Sequence, residues 1–259
     1  ANKNKGSKVA IIYDSPITNK KAFISYKELL DKVSSLAASM HAKGVNKGDR
    51  VVLYMPMIPE VIISMLACAR IGAIHSVVFG GFAAEELASR IQDVNPKIVI
   101  SASCGLEPNR TIDYKKILNE AIETSSHKPQ YQIIFQREYK KCLLDKEGDI
   151  DWNDFIDDSK NIDCQPLDAD DPLYILHTSG TTGIPKGIVR TNGGHAVALY
   201  NSMKMTYDIS ENDVFWAASD VGWVVGHSYI VYAPLLKGCT TVLYEGKPVS
   251  TPDSGQFWR

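Results

Sequence analysis

Residues 174–188 read YILHTSGTTGIPKGI. The apolar run Leu173–Leu176 is short enough for a buried strand, and it ends at His177. Beyond it stand the hydroxyl residues Thr178, Ser179, Thr181 and Thr182, with Gly180, Gly183 and Gly187 among them and Lys186 near the end. Glycines let successive backbone N–H groups converge on an anion, hydroxyls add donors, and a lysine adds a mobile positive charge. A polar surface turn after a core strand would also have this composition. So dense a set of donors serves phosphate oxygens better than a plain turn.

This is not the common nucleotide-binding loop. That pattern, G-x-x-x-x-G-K-[ST], finds no register here, because Pro185 precedes Lys186 and Gly187 follows it. The dinucleotide pattern G-x-G-x-x-G is absent from the stretch as well.

Outward from the loop, the totals exclude several classes. The 28 basic and 30 acidic residues leave a net charge of -2 with no long basic block, which argues against a nucleic-acid surface. No run approaches the roughly eighteen apolar residues of a membrane helix. The five cysteines, Cys68, Cys104, Cys142, Cys164 and Cys239, are odd in number, widely spaced and without C-x-x-C. They suggest neither a disulfide scaffold nor a zinc site, and they fit a reducing compartment. The opening residues lack the long apolar segment of a secretory signal. The histidines show no H-E-x-x-H spacing and there is no G-x-S-x-G elbow, so no metal ligands and no hydrolase nucleophile are assigned. The acidic residues of 145–158 read as a solvated face.

The remaining segments alternate between strand and helix. A strand at Val9–Tyr13 and a polar turn at 19–22 lead to a Ser25/Glu28 capping box and a helix to about Lys43, closed by Gly44. A strand over Arg50–Met55, a helix opened by Pro59 and closed by Gly72, and a strand over Ala73–Phe79 follow. Then come a helix over 84–91, a strand over Lys97–Ile100, a helix over Ile112–Glu123 and a strand over Tyr131–Phe135. Beyond the loop, a helix over Gly194–Met203, a strand over Val214–Ala218, a helix over Ser228–Leu236 and a strand over Thr240–Tyr244 are expected. Thr251-Pro252-Asp253 looks like the opening of a further helix that Phe257 and Trp258 would continue. The alternation gives a doubly wound α/β layout in two units, roughly 22–135 and 170–259, with a charged excursion at 136–169.

The run TSGTTGIPKG at 178–187 resembles the phosphate-binding signature of the adenylate-forming superfamily, which includes acyl-CoA synthetases, luciferases and peptide-synthetase adenylation domains. VVFGGFAAEELASRI at 77–91 and SDVGWVVGHSYIVYAPLLKGCTTVLYEGKP at 219–248 are similar to its short-chain branch, the acetyl- and propionyl-CoA synthetases. Val224-Val225 and the Thr251-Pro252-Asp253 segment look closer to propionate-preferring members. The resemblance covers about 22–259. It implies an α/β fold of the acyl-adenylate synthetase type: a large domain with two doubly wound subdomains, incomplete in this chain, with the rest of that domain and a small mobile C-terminal domain beyond it. It also implies ATP-dependent activation of propionate or acetate to acyl-AMP, release of pyrophosphate, and transfer to coenzyme A. A ligase for another small carboxylic acid, or a nucleotide-binding fragment inactive on its own, are the alternatives.

Residue roles follow from the same resemblance. Thr178, Ser179, Gly180, Thr181, Thr182, Gly183 and Lys186 would hold ATP phosphates, with Lys186, Thr182 and His227 acting in catalysis. Magnesium accompanies the nucleotide, and its carboxylate ligand would lie outside this chain. Trp223, Val224 and Val225 look like the acyl pocket, where acetyl-CoA synthetases usually carry threonine at the Val225 position. On the residues alone, Trp223 reads equally as core and His227 as an early helix residue bonded to a backbone group. Phe79, Gly80 and Gly81 would border coenzyme A, although Phe79 also reads as the last core residue of its strand. In SASCGLEPNR (101–110) the family commonly has two arginines. Here Glu107 takes the first position and Arg110 the second, leaving Arg110 for a CoA phosphate. The partners implied are small molecules only. The compartment would be the mitochondrial matrix in a eukaryote and the cytoplasm otherwise.

Overall fold

The computed structural model describes residues 5–178, 185–247 and 251–258. Two strands open the chain, β1 (Val9–Ser15) and β2 (Lys20–Ser25), before helix α1 (Tyr26–Ala42). The capping box expected at the start of α1 is formed in both directions: the Ser25 side chain accepts from Glu28 N, and the Glu28 carboxylate accepts from Ser25 N. Next come β3 (Arg50–Tyr54), α2 (Pro59–Ile71) with Pro59 in its first turn, β4 (Ile74–Val77), α3 (Ala84–Val94) and β5 (Ile98–Ala102). A short hairpin of β6 (Gly105–Glu107) and β7 (Arg110–Ile112) precedes α4 (Tyr114–Thr124), β8 (Tyr131–Phe135), β9 (Asp149–Asp151) and α5 (Trp152–Phe155). The chain returns through β10 (Pro172–Thr178), β11 (Lys186–Thr191), α6 (Asn192–Met205) and β12 (Val214–Phe215). A helical turn α7 (Val224–Gly226) runs through a π-helical segment, His227–Tyr232, into α8 (Ala233–Lys237), and β13 (Thr240–Tyr244) follows.

These strands make an α/β fold with mixed sheets. A seven-stranded sheet has the order β11-β10-β4-β3-β5-β8-β9, parallel except for β11. Side chains alternate across it. Val51 and Leu53 pack with α1 and α2 on one face, while Val52 and Tyr54 meet Leu87, Ile91 and Leu118 of α3 and α4 on the other. Both faces are covered, so the strands read as nearly unbroken apolar runs.

The sheets do not follow the two sequence ranges expected for the units. β10 and β11 join the first sheet, through Tyr174 beside His75, although they lie within 170–259. Conversely, β1 and β2 leave the N-terminal range to complete a four-stranded sheet, β12-β13-β1-β2, with Ile11 beside Thr241. Three further expectations change. The excursion at 136–169 supplies an edge strand, β9. Asp149, expected on a solvated face, is buried in an ion pair with Lys115 of α4 at 2.8 Å. No helix opens at Thr251: the Thr251–Pro252 peptide is cis and only a 3-10 turn, Gln256–Trp258, follows.

A buried ion pair joins the two sheets. Arg137, just past β8, sets its guanidinium on both oxygens of Glu245, just past β13, at 2.7 and 3.1 Å. Tyr13 of β1 donates its hydroxyl to the same carboxylate. Burial, reinforced by that carboxylate, holds the Tyr13 phenol well above its ordinary range.

Candidate active site

The carboxyl ends of strands from both sheets converge on one cleft of about 360 Å³. Segments following β3 (Met55–Met57) and β4 (Phe79–Gly81) form one side, and those following β12 (Ala218–Trp223) and β13 (Glu245–Lys247) the other. The β6–β7 hairpin lies across the mouth with Leu106, Glu107 and Pro108. Carboxyl ends of parallel strands are where open α/β sheets bind ligands, because loops there are free to vary above a rigid base.

Phe79, Gly80 and Gly81 all line this cleft. β4 stops at Val77, so Phe79 is not a strand core residue. Its half-buried ring meets Trp223 at 5.4 Å and Phe82 edge-on at 5.6 Å. At Gly80 a Cβ would come within 2.0 Å of the Tyr114 hydroxyl, so only glycine lets the strand end approach α4 this closely. The Trp223 indole stands in the same wall, 48% exposed. Val224 and Val225 are not among the lining residues. They are 43% and 47% exposed, so of the expected acyl trio only Trp223 lines this cleft.

His227 lies in the core instead of the cleft. Its Nδ1 donates to the Trp223 carbonyl at 3.1 Å, which leaves the proton on Nδ1 and the lone pair on Nε2. That Nε2 is buried without a hydrogen-bond partner among the described residues. Burial pushes the pKa down to about 4, so the ring is neutral at pH 7. It packs against Tyr174 at 4.6 Å and His75 at 5.5 Å, beside the strand that leads into the glycine-rich loop. The backbone-bonded alternative is therefore what the local geometry contains.

Thr178 and Lys186 close the β10–β11 ladder opposite each other, both exposed. Ser179, Gly180, Thr181, Thr182 and Gly183 lie outside the described residues. His177, one position before Thr178, holds Asp93 of α3 through Nε2 at 2.8 Å and so fixes the end of β10. Among the described residues no three His, Cys, Asp or Glu side chains gather as metal ligands.

Arg110 is paired across the hairpin through one of its nitrogens. Its Nε donates to Glu107 at 2.8 Å across the hairpin, and Lys247 lies 3.7 Å from the other Glu107 oxygen. The Arg110 guanidinium, with Lys247 adding to it, holds the Glu107 carboxyl below its usual range. The departure at Glu107 thus pairs one carboxylate with both Arg110 and Lys247. Reading the sequence for phosphate loops and acyl pockets passed over Asp220, Tyr114 and Lys247. The available signal was positional: Asp220 stands where the chain leaves β12 and turns through Gly222.

Compared with known proteins, the chain matches the AMP-binding enzyme family over residues 1–259. It is 56% identical over 255 residues to acyl-CoA synthetase short-chain family member 3, mitochondrial, of Rattus norvegicus, covering 98% of this chain and 37% of the relative. To acetyl-coenzyme A synthetase of Pasteurella multocida it is 42% identical, covering 99% and 39%. Among solved structures, acetoacetyl-CoA synthetase from Streptomyces lividans superposes with a TM-score of 0.84 at 28% identity, over 93% of this chain and 36% of that one. The chain therefore spans little more than a third of the length of these relatives.

Proposed function

The chain belongs to the AMP-binding enzyme family, and on that premise we propose that its protein activates a short-chain carboxylic acid with ATP and passes the acyl group to coenzyme A. The observation that carries this reading is the convergence of strand ends on a cleft bordered by Phe79–Gly81 and Asp220–Trp223. Those segments belong to the two stretches that resemble short-chain acyl-CoA synthetases.

In the first half-reaction a carboxylate attacks the α-phosphorus of ATP and pyrophosphate leaves. Two anions must meet, so positive charge and N–H donors have to be in place before the reaction begins. Thr178, Ser179, Gly180, Thr181, Thr182, Gly183 and Lys186 supply those donors, and the Lys186 ammonium offsets the charge on the leaving group. Magnesium, when bound, supplies further neutralisation of the phosphates. His227, neutral at pH 7, adds no charge and keeps its Nε2 as an acceptor beside β10. In the second half-reaction the thiol of coenzyme A displaces AMP, with the aromatic wall of Phe79 and Trp223 flanking its path.

Propionate is the acid we favour over acetate, on the likeness of 219–248 to propionate-preferring members. One methylene is worth only about 1–3 kcal/mol in an apolar pocket, so the preference would be graded. The test is ATP–pyrophosphate exchange by the full-length protein with acetate, propionate and butyrate. Exchange that peaks at propionate supports the reading, and none with any of the three overturns it. The compartment proposed is the mitochondrial matrix in a eukaryote and the cytoplasm in a bacterium.

The hairpin suggests a second measurement. Glu107→Gln would release Arg110 and Lys247 for the phosphates of coenzyme A. The KM for CoA is expected to fall, by at most about fivefold because the pair is exposed, while the KM for ATP stays unchanged. A CoA KM that rises would mean the carboxylate itself helps to bind the thiol substrate.

A further inference from the structure

Three carboxylates line the cleft, and two of them hold a guanidinium: Glu245 has Arg137, and Glu107 has Arg110. Asp220 has none. Its Oδ1 accepts from Gly222 N at 2.7 Å, and Oδ2 makes no hydrogen bond or ion pair among the described residues.

The carboxylate is held where it is. A Cβ at Gly226 would lie 1.9 Å from the Asp220 carbonyl oxygen, and one at Gly222 would lie 2.7 Å from Phe79 Cα. Val221 N donates to Met57 Sδ at 3.3 Å, and Trp223 N to the Asp220 carbonyl at 3.0 Å. The turn is therefore wedged between the ends of β3 and β4. Asp220 shares the cleft lining with the apolar side chains of Met55, Met57, Phe79 and Trp223, which cannot solvate a charge.

An aspartate that served only to shape the turn would need only Oδ1, and asparagine would offer the same acceptor without burying a charge. An uncompensated carboxylate fixed in a ligand cleft is suited to taking up a proton. We propose that Asp220 accepts the thiol proton when the acyl group passes from the adenylate to coenzyme A, an inference that rests on the function proposed above. The thiol sulfur bonds to the acyl carbonyl carbon. The bond from that carbon to the phosphate oxygen breaks, and AMP leaves with the electron pair. The S–H proton passes to Asp220 and then to solvent through the open mouth.

Burial raises the Asp220 pKa to about 6, which puts a useful base just below neutral pH. The other titratable groups facing it do not compete. Tyr114 of α4 is held protonated by burial, Glu245 is paired with Arg137 and Tyr13, and Glu107 is paired with Arg110 and Lys247.

The experiment uses the full-length protein and Asp220→Asn, which keeps the Gly222 contact. Single-turnover transfer from preformed propionyl-adenylate to CoA is followed from pH 5 to 7.5, beside ATP–pyrophosphate exchange with propionate. In the wild type, transfer should fall about tenfold per pH unit below about 6, because the protonated carboxyl cannot accept. Asp220→Asn should lose about a hundredfold or more in transfer, and lose that limb, with exchange and the dissociation constant for CoA each within about threefold. In protein without CoA, the infrared carboxyl band that differs between wild type and Asp220→Asn should titrate near 6. Wild-type transfer that stays flat to pH 5 overturns the proposal without any variant. So does a variant that transfers at the wild-type rate, loses exchange equally, or no longer binds CoA. Absence of acid-dependent exchange in the wild type would instead overturn the underlying function, and this proposal with it.

Discussion

Replacing Lys186 by alanine is expected to lower acid-dependent ATP–pyrophosphate exchange by about 10²–10³-fold, the usual loss when one preorganised charge is removed from an anionic transition state. Lys186 begins β11 opposite Thr178, so the ladder fixes its backbone at the end of the β10–β11 pair. The side chain is exposed and makes no described ion pair, so the fold should hardly notice its loss. A thermal midpoint within a degree or two of wild type, together with collapsed exchange, is the expected pattern. Lys186→Arg should recover only part of the rate, since a planar fork does not reach the phosphates as a compact ammonium does. Exchange within about threefold of wild type in Lys186→Ala would remove this lysine from the reaction.

The second large effect is on stability. Arg137→Met should destabilise the protein by about 3–5 kcal/mol, because Glu245 would stay buried with only the Tyr13 hydroxyl as partner. In thermal unfolding that is a fall on the order of 10 °C. The double variant Arg137→Met/Glu245→Leu should regain much of the loss, since apolar neighbours replace a buried ion pair without leaving an unpaired charge. The pair joins the two sheets, and its Glu245 lines the cleft. Arg137→Met should therefore also loosen the cleft, visible as faster amide exchange in 244–247 than in α1. A double variant as unstable as the single one would show that the guanidinium is needed for packing more than for charge.

Much of the chain was legible because its signals are local. The Ser25/Glu28 capping box, the first-turn Pro59 and the strand-forming run at 73–79 each act within a few residues, and each produced the expected element. The run TSGTTGIPKG at 178–187 resembles the adenylate-forming phosphate signature, and the family match over residues 1–259 agrees with that resemblance. Asp149 shows where such reading fails. Most of its sequence neighbours are charged, and only α4 folding over the sheet edge brings Lys115 to it and shuts out water.

Sheet membership was likewise hidden. Ile11 pairs with Thr241, some 230 positions away, and no window of residues carries that pairing. Strand patterns state that a segment is buried on one or both faces but not which neighbour it hydrogen-bonds, because backbone N–H and C=O groups are alike in every strand. The candidate site inherits this division. Phe79, Gly80, Gly81 and Trp223 were found from motifs, but their meeting in one cleft depends on the two sheets docking through Arg137 and Glu245. That docking turns Asp220 from one carboxylate among 30 acidic residues into the cleft carboxylate that has no cation among the described residues. Local chemistry is written along the chain; the charge and solvation of each group are set by neighbours that folding brings from elsewhere.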